Sequence, residues 1–159
     1  MTPAADLKTL RFEPLSQARI PEILVIERRA NSLPWSERSF ANELENPQSL
    51  FVVALINGKV AAYAGVWLCF DEAHVTTVAV SPEWQRRGIG ERCVRRLLEQ
   101  AGERGAACST LEVRASNEPA IRLYEKLGYL RTAVRKRYYP DNAEDAVVMW
   151  LHSLDAFKA

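Results

Sequence analysis

A chain of 159 residues has room for one globular domain with a real core, so a single domain over 1–159 is expected. With 48% hydrophobic and 26% charged residues, it has the make-up of an ordinary folded protein, which excludes a disordered or fibrous design. The 21 Lys and Arg against 20 Asp and Glu leave a formal net charge of +1, too little for a protein held mainly by phosphates, so no nucleic-acid partner is expected.

Residues 1–6 show no basic region followed by an apolar run, and no later segment is apolar for the length of a membrane span. A soluble, unexported chain without a membrane partner is expected. Alternation in Leu7-Lys8-Thr9-Leu10-Arg11-Phe12 predicts a first strand. Ser16 and Pro21 then open a helix carrying Ile20, Ile23, Leu24 and Glu27. After a break over 31–36, Ser36 can cap a second short helix with Phe40 and Leu44 on its inner face, ending near Asn46-Pro47. The run 50–56, the dipeptide Asn57-Gly58 and the run 60–70 give a strong hairpin signal, because Asn-Gly tolerates the positive φ of a tight turn. A turn at Asp71-Glu72 and a third apolar run, 74–80, complete a meander of three antiparallel strands, which is not a doubly wound arrangement.

From Ile89, apolar Cys93, Val94, Leu97, Leu98 and Ala101 recur at helical spacing until Gly105. A short strand, 110–113, leads through Ser116-Asn117 into a helix bearing Ile121, Tyr124 and Leu127, stopped by Gly128. Segments 129–138 and 143–151 read as a last pair of strands around Pro140-Asp141-Asn142. The class is α/β of the α+β kind. Cys69, Cys93 and Cys108 are odd in number and lack Cys-x-x-Cys spacing, so neither a disulfide framework nor a metal site is expected, and a reducing cytoplasm fits.

The most informative stretch is Val78-Ala79-Val80-Ser81-Pro82-Glu83-Trp84-Gln85-Arg86-Arg87-Gly88-Ile89-Gly90, a buried strand entering a helix through a basic, glycine-bearing loop. Amides at a helix start lack internal acceptors and carry partial positive charge, which suits a pyrophosphate. Gly88 and Gly90 let the backbone approach its oxygens, and Arg86 and Arg87 add charge. The alternative is a plain helix entry with solvated arginines. Neither a Walker loop nor a complete Gly-x-Gly-x-x-Gly fingerprint is present.

Glu112, between Leu111 and Val113, is an acidic residue in an apolar setting, suited to accept a proton directly or through water; alternatively it pairs with Arg114 as a structural ion pair. Tyr124 shares a stripe with Ile121 and Leu127 and is either core or a phenol able to protonate a departing thiolate. Asn117 at the helix start is by itself a cap. Trp35 and the adjacent Tyr138-Tyr139 could wall a peptide groove or serve ordinary packing. No histidine is visibly partnered with Cys69 or Cys93, and His74 and His152 read as structural. The run Arg131, Arg135, Lys136 and Arg137 reads as a solvated strand face.

The stretch Gln85 to Gly90 resembles the Gln/Arg-x-x-Gly-x-Gly/Ala signature of the GNAT acetyltransferases. Leu111-Glu112-Val113-Arg114-Ala115-Ser116-Asn117, Leu123-Tyr124-Glu125-Lys126-Leu127-Gly128-Tyr129, Arg137-Tyr138-Tyr139-Pro140, Pro34-Trp35-Ser36 and Glu144-Asp145-Ala146 narrow the resemblance to the RimI branch, the bacterial ribosomal-protein alanine N-acetyltransferases. The resemblance implies a mixed, mostly antiparallel central sheet with helices on both faces and a splayed parallel strand pair. It implies acetyl-CoA as co-substrate and no metal, with Val78, Ala79 and Val80 along the acetyl-pantetheine arm. The segment Arg86, Arg87, Gly88, Ile89, Gly90 and Glu91 falls to the pyrophosphate, and Asn117 is a further coenzyme contact. It implies Glu112 as proton acceptor and Tyr124 as proton donor in a direct attack. Trp35, Tyr138 and Tyr139 would then hold the acceptor, the N-terminal alanine of a small-subunit ribosomal protein (protein eighteen) or another peptide N-terminus, on a monomer or weak dimer. Thr76-Thr77 replaces the bulkier aromatic-asparagine pair of familiar members, which leaves acceptor preference open. The rival readings are acetylation of lysine side chains or small amines, and a non-catalytic acyl-CoA sensor.

Overall fold

The computed structural model describes residues 7–158; residues 1–6, where the sequence predicts no export segment, and residue 159 lie outside them. Seven strands form one sheet: β1 (Arg11–Glu13), β2 (Ser49–Ile56), β3 (Lys59–Cys69), β4 (Glu72–Val80), β5 (Cys108–Arg114), β6 (Leu130–Arg135) and β7 (Ala146–Leu151). Their order is β1-β2-β3-β4-β5-β7-β6, and every neighbouring pair is antiparallel except β4 with β5. Helices α1 (Ile20–Ala30) and α2 (Glu37–Glu45) lie on one face, and α3 (Ile89–Glu103) and α4 (Glu118–Leu127) on the other.

Each face carries its own core. Ile20, Ile23 and Leu24 of α1 and Phe40 of α2 pack on Phe51, Val53, Leu55 and Tyr63. Cys93, Val94, Leu97 and Leu98 of α3 and Ile121 and Leu127 of α4 pack on Val52, Ala62, Ala64, Leu111 and Val113. Strands buried on both faces explain the near-continuous apolar runs of β2 and β3. The β2–β3 turn uses Asn57 (φ 52°) and Gly58 (φ 77°), and Ser36 caps α2 by accepting from the Ser39 amide at 3.1 Å.

Three expectations shift. The alternating segment 7–12 is strand only from Arg11; Leu7 begins a turn closed by the Leu10 amide donating to the Leu7 carbonyl at 3.1 Å. Leu7, Leu10 and Phe12 all rest on the α3-side core, so a turn and a strand share one apolar pattern. Leu44 is 38% exposed, and the inner face of α2 is filled by buried Phe40 with partly buried Ala41 beside it. The last hairpin is shorter than expected, because Arg137 (φ 51°) and Ala143 (φ 59°) leave extended geometry, and residues 136–145 form a long loop.

A bulge in β4 shapes the site. Gly65 pairs with Thr77 and Val66 with Val75, so Thr76 is an extra residue on β4. Before it, Ala73 and Val75 face the α3 side; after it, Val78 and Val80 do. Ladder pairing of β4 with β5 stops at His74↔Thr110, and beyond that point the two strands part. Gly65, opposite the bulge, lies under the Phe51 ring, where an added Cβ would come within 2.5 Å of Cζ. Gly65→Ala is therefore expected to lower stability by about 1–3 kcal/mol, read as a depressed midpoint in thermal unfolding.

Candidate active site

Where β4 and β5 part, an open cleft of about 930 Å³ is lined by Val75 to Val80, Leu111 to Arg114, the start of α3, and Asn117, Tyr124 and Tyr139. At one end a short 3-10 turn, Pro82–Trp84, delivers the chain to α3. Arg86 (φ 64°) and Gly88 (φ 78°) both adopt the left-handed conformation there. The Arg92 amide donates to the Gly88 carbonyl at 3.1 Å, so those of Ile89, Gly90 and Glu91 precede the first intrahelical acceptor and point their dipoles at the cleft. Gly90 sits so close to β4 that an added Cβ would stand 3.1 Å from Val80 Cγ2. The Glu91 carboxylate faces Lys126 at 2.9 Å and Arg95 at 3.1 Å; the Lys126 ammonium, foremost, holds it below the usual carboxylate range.

Val78, Ala79, Val80, Arg86, Gly88, Ile89, Gly90, Glu91 and Asn117 all line the cleft, whereas Arg87 lies outside its lining with its guanidinium 5.8 Å from the Trp84 ring centroid. Asn117 Oδ1 also accepts from the Ala120 amide at 3.3 Å, so the cap and the cleft position coexist.

Glu112 and Tyr124 enter the cleft from β5 and α4. Glu112 does not pair with Arg114; its Oε1 lies 2.8 Å from His74 Nε2, and its side chain is 13% exposed. Tyr124 is buried, and that burial, with a smaller contribution from Tyr139, pushes its phenol pKa up. The Tyr63 hydroxyl donates to Glu27 at 2.6 Å and the Tyr129 hydroxyl lies 2.7 Å from Ser109 Oγ, but that of Tyr124 has no hydrogen-bond partner among the described residues. A phenol that stays protonated and uncommitted beside a cleft is available as a proton donor.

The far wall is held by Arg114. Its guanidinium contacts Asp141 at 2.9 Å, Glu144 at 3.2 Å and Ser32 Oγ at 3.1 Å, and lies 4.0 Å from the Tyr139 ring centroid. Ser32 Oγ donates to Asp141 at 2.7 Å, so the α1–α2 loop and the 136–145 loop are clasped across the end of β5. Tyr139 lines the cleft and Tyr138 does not; Tyr138 meets the Tyr139 ring edge-on at 5.0 Å and is 40% exposed. Both stand in the loop and not on a strand. Trp35 also stands off the cleft, its ring packed on Phe40 at 5.0 Å and Phe51 at 6.1 Å. On that side the lining comes instead from Glu27 and the segment Arg29 to Ser32.

The sequence matches the model of the acetyltransferase (GNAT) family over residues 20–129. It is 41% identical over 139 residues to the ribosomal protein bS18-alanine N-acetyltransferase of Escherichia coli K12, covering 86% of this chain and 93% of that protein. It is 38% identical over 120 residues to the N-alpha-acetyltransferase RimI of Mycobacterium tuberculosis, covering 73% and 74%. The fold superposes on the crystal structure of the ribosomal-protein-S18-alanine N-acetyltransferase from Escherichia coli with a TM-score of 0.82 at 40% identity, covering 89% of this chain and 92% of that one. The chain belongs to the GNAT acetyltransferase family.

GNAT enzymes take acetyl-CoA as donor, and the cleft fits it: a helix start free of side chains at Gly88 and Gly90 for the diphosphate, and a gap between parallel strands for the arm. At that gap the buried Thr76 hydroxyl has no hydrogen-bond partner. Among the cysteines, Cys93 is fully buried against α3-side residues, which pushes its thiol up to about 12, and neither it nor the exposed Cys69 lines the cleft. Sequence reading missed the parts played in this GNAT site by His74, Glu27 and the partners of Arg114, and met Thr76 only as a departure from the family pattern. Glu27, 1% exposed, accepts from Tyr63, from Asn31 Nδ2 at 3.1 Å and from the Trp35 amide at 3.0 Å, fixing the loop over the cleft. A carboxylate inside an apolar helix stripe was the available signal.

The Asp141 carboxyl is held low, first by the Ser32 hydrogen bond and then by Arg114; that of Glu144 is held low, first by Ser116 and then by Arg114. Carboxyls whose folded pKa lies below the unfolded value stabilise above the unfolded value, and that contribution disappears as pH falls through the folded one. Arg114→Met is expected to melt earlier than wild type at neutral pH, with the difference shrinking as pH falls below about 4 and on through the lower folded values. It is also expected to raise the KM for a peptide acceptor about tenfold, equivalent to about 1.4 kcal/mol, while acetyl-CoA binding stays unchanged.

Proposed function

We propose that this GNAT acetyltransferase moves the acetyl group of acetyl-CoA onto the N-terminal alanine of ribosomal protein bS18 in the cytoplasm. The observation that carries the reading is the splayed-strand cleft, which has helix-start amides at one end and Glu112 and Tyr124 along its length. The acceptor's identity is supported by the 41% likeness to an enzyme of that name over most of both chains.

In this reading the amides of Ile89, Gly90 and Glu91 and the Arg86 guanidinium hold the diphosphate. The backbone of Val78, Ala79 and Val80 guides the arm along β4, and Asn117 adds a contact from the start of α4. An α-amine with a pKa of about 8 is already partly neutral at physiological pH, so a modest base suffices. Glu112 takes the proton from the amine, directly or through one water, as the nitrogen forms its bond to the acetyl carbon. The carbon–sulfur bond breaks, and Tyr124 gives its proton to the departing thiolate and regains one from solvent. Tyr139, steadied by Tyr138 and Arg114, walls the acceptor side, and Trp35 braces the opposing loop from the core.

An acceptor competition tests this. With limiting acetyl-CoA, an alanine-initiated peptide, an N-capped lysine peptide and spermidine are offered together and the products separated by mass spectrometry. Acetylation at the α-amine of the alanine peptide is expected to dominate. Preferential labelling of lysine or of the polyamine overturns the acceptor assignment.

A further inference from the structure

We infer that His74 is the residue that positions Glu112 for proton abstraction; this rests on the reading of Glu112 as base. The bulge at Thr76 sets the geometry. Residues of β4 before the bulge and residues of β5 still run side by side, and His74 is the last residue of β4 in register with β5, opposite Thr110. Glu112 is two residues further along the same face of β5, where β4 has begun to diverge. The His74 side chain reaches across that diagonal, placing Nε2 2.8 Å from Glu112 Oε1.

Glu112 lines the cleft and His74 does not: the imidazole stands behind the carboxylate, 35% exposed, on the side away from the helix start that faces the diphosphate. An ionised carboxylate can only accept, so the hydrogen bond requires a proton on Nε2. Oε1 is thereby occupied and its orientation fixed, and Oε2 is the oxygen left for the amine. A base oriented by a second group whose own position is fixed is a recurring arrangement in acyl transfer.

The imidazole is itself buttressed. The Trp67 ring of β3, cross-strand partner of His74, meets it edge-on with centroids 6.4 Å apart. Trp67 Nε1–H donates to Glu43 Oε1 of α2 at 2.6 Å, and Ser49 Oγ donates to the same oxygen at 2.9 Å. A continuous set of contacts therefore runs from α2 through Trp67 and His74 to Glu112. Arg114 on β5 and Asp141 and Glu144 on the 136–145 loop are engaged with one another.

The test is a double-mutant cycle read as steady-state kinetics with acetyl-CoA and an alanine-initiated peptide. His74→Ala is expected to lower kcat about tenfold to a hundredfold, the range typical of lost outer-shell orientation, with KM for acetyl-CoA unchanged. His74→Gln, which keeps a side-chain N–H donor, is expected to recover most of the loss, and His74→Leu to recover none. In the Glu112→Gln background, His74→Ala is expected to have no further effect. A Glu112→Gln enzyme as fast as wild type overturns the base assignment itself. A slow Glu112→Gln enzyme with a wild-type His74→Ala, or with equal losses for His74→Gln and His74→Leu, overturns the role of His74 alone. Circular dichroism melts of each variant identify any loss that comes from unfolding, and a kcat loss in His74→Ala that appears only with a lowered melt also overturns it.

Discussion

Glu112→Gln is expected to lower kcat with an alanine-initiated peptide by about a hundredfold to ten-thousandfold, the contribution typical of a positioned general base. The substitution keeps the shape of the side chain, and Gln can still meet His74, so the sheet and the cleft should stay intact. Acetyl-CoA affinity, set at the other end of the cleft by the start of α3, should not move. Because the amine nucleophile becomes neutral without help as pH rises, part of the rate should return in alkali. Titration calorimetry for binding and a thiol-release assay for transfer check both halves. Equal loss of binding and rate would place Glu112 in coenzyme binding and not in proton transfer.

Tyr124→Phe is expected to lower kcat by about tenfold to a thousandfold while leaving the protein as stable as wild type. The ring packs edge-on against Tyr129 at 5.6 Å, and phenylalanine preserves that contact. The lost hydroxyl satisfies no partner among the described residues, so its removal leaves no buried group orphaned. Burial raises the phenol pKa, so the group is protonated throughout the neutral range, and the deficit should be constant from pH 6 to 8. A poorer leaving thiol should widen the gap between the two enzymes. An unchanged kcat would leave Tyr124 as core.

Much of this was legible in the residues. Asn57-Gly58 announced the β2–β3 turn, and Gln85 to Gly90 announced the helix start, because both depend on local backbone geometry that few residues tolerate. The resemblance carried the family, and with it the splayed strands. What stayed hidden depends on pairing across the chain. No residue type marks the bulge at Thr76, which exists only as a mismatch with β3. Glu112 and Arg114 share a face of β5, and spacing alone offered them to each other; the fold instead brings His74 to one and Asp141 and Glu144 to the other. Tyr138 and Tyr139 alternate as a strand would, yet left-handed Arg137 and the Arg114 clasp turn them into a loop. Trp35 offered an aromatic at a loop, and neighbouring Phe40 and Phe51 draw it into the core.

In the proposed mechanism a helix start grips a diphosphate and thereby aims a thioester between β4 and β5. A crystal structure of the protein with acetyl-CoA tests this most directly. The diphosphate is expected within hydrogen-bond reach of the amides of residues 88–91, with the thioester in the gap beside Thr76, facing Glu112 and Tyr124. Coenzyme bound with its diphosphate away from α3, or its thioester outside the β4–β5 gap, would contradict it.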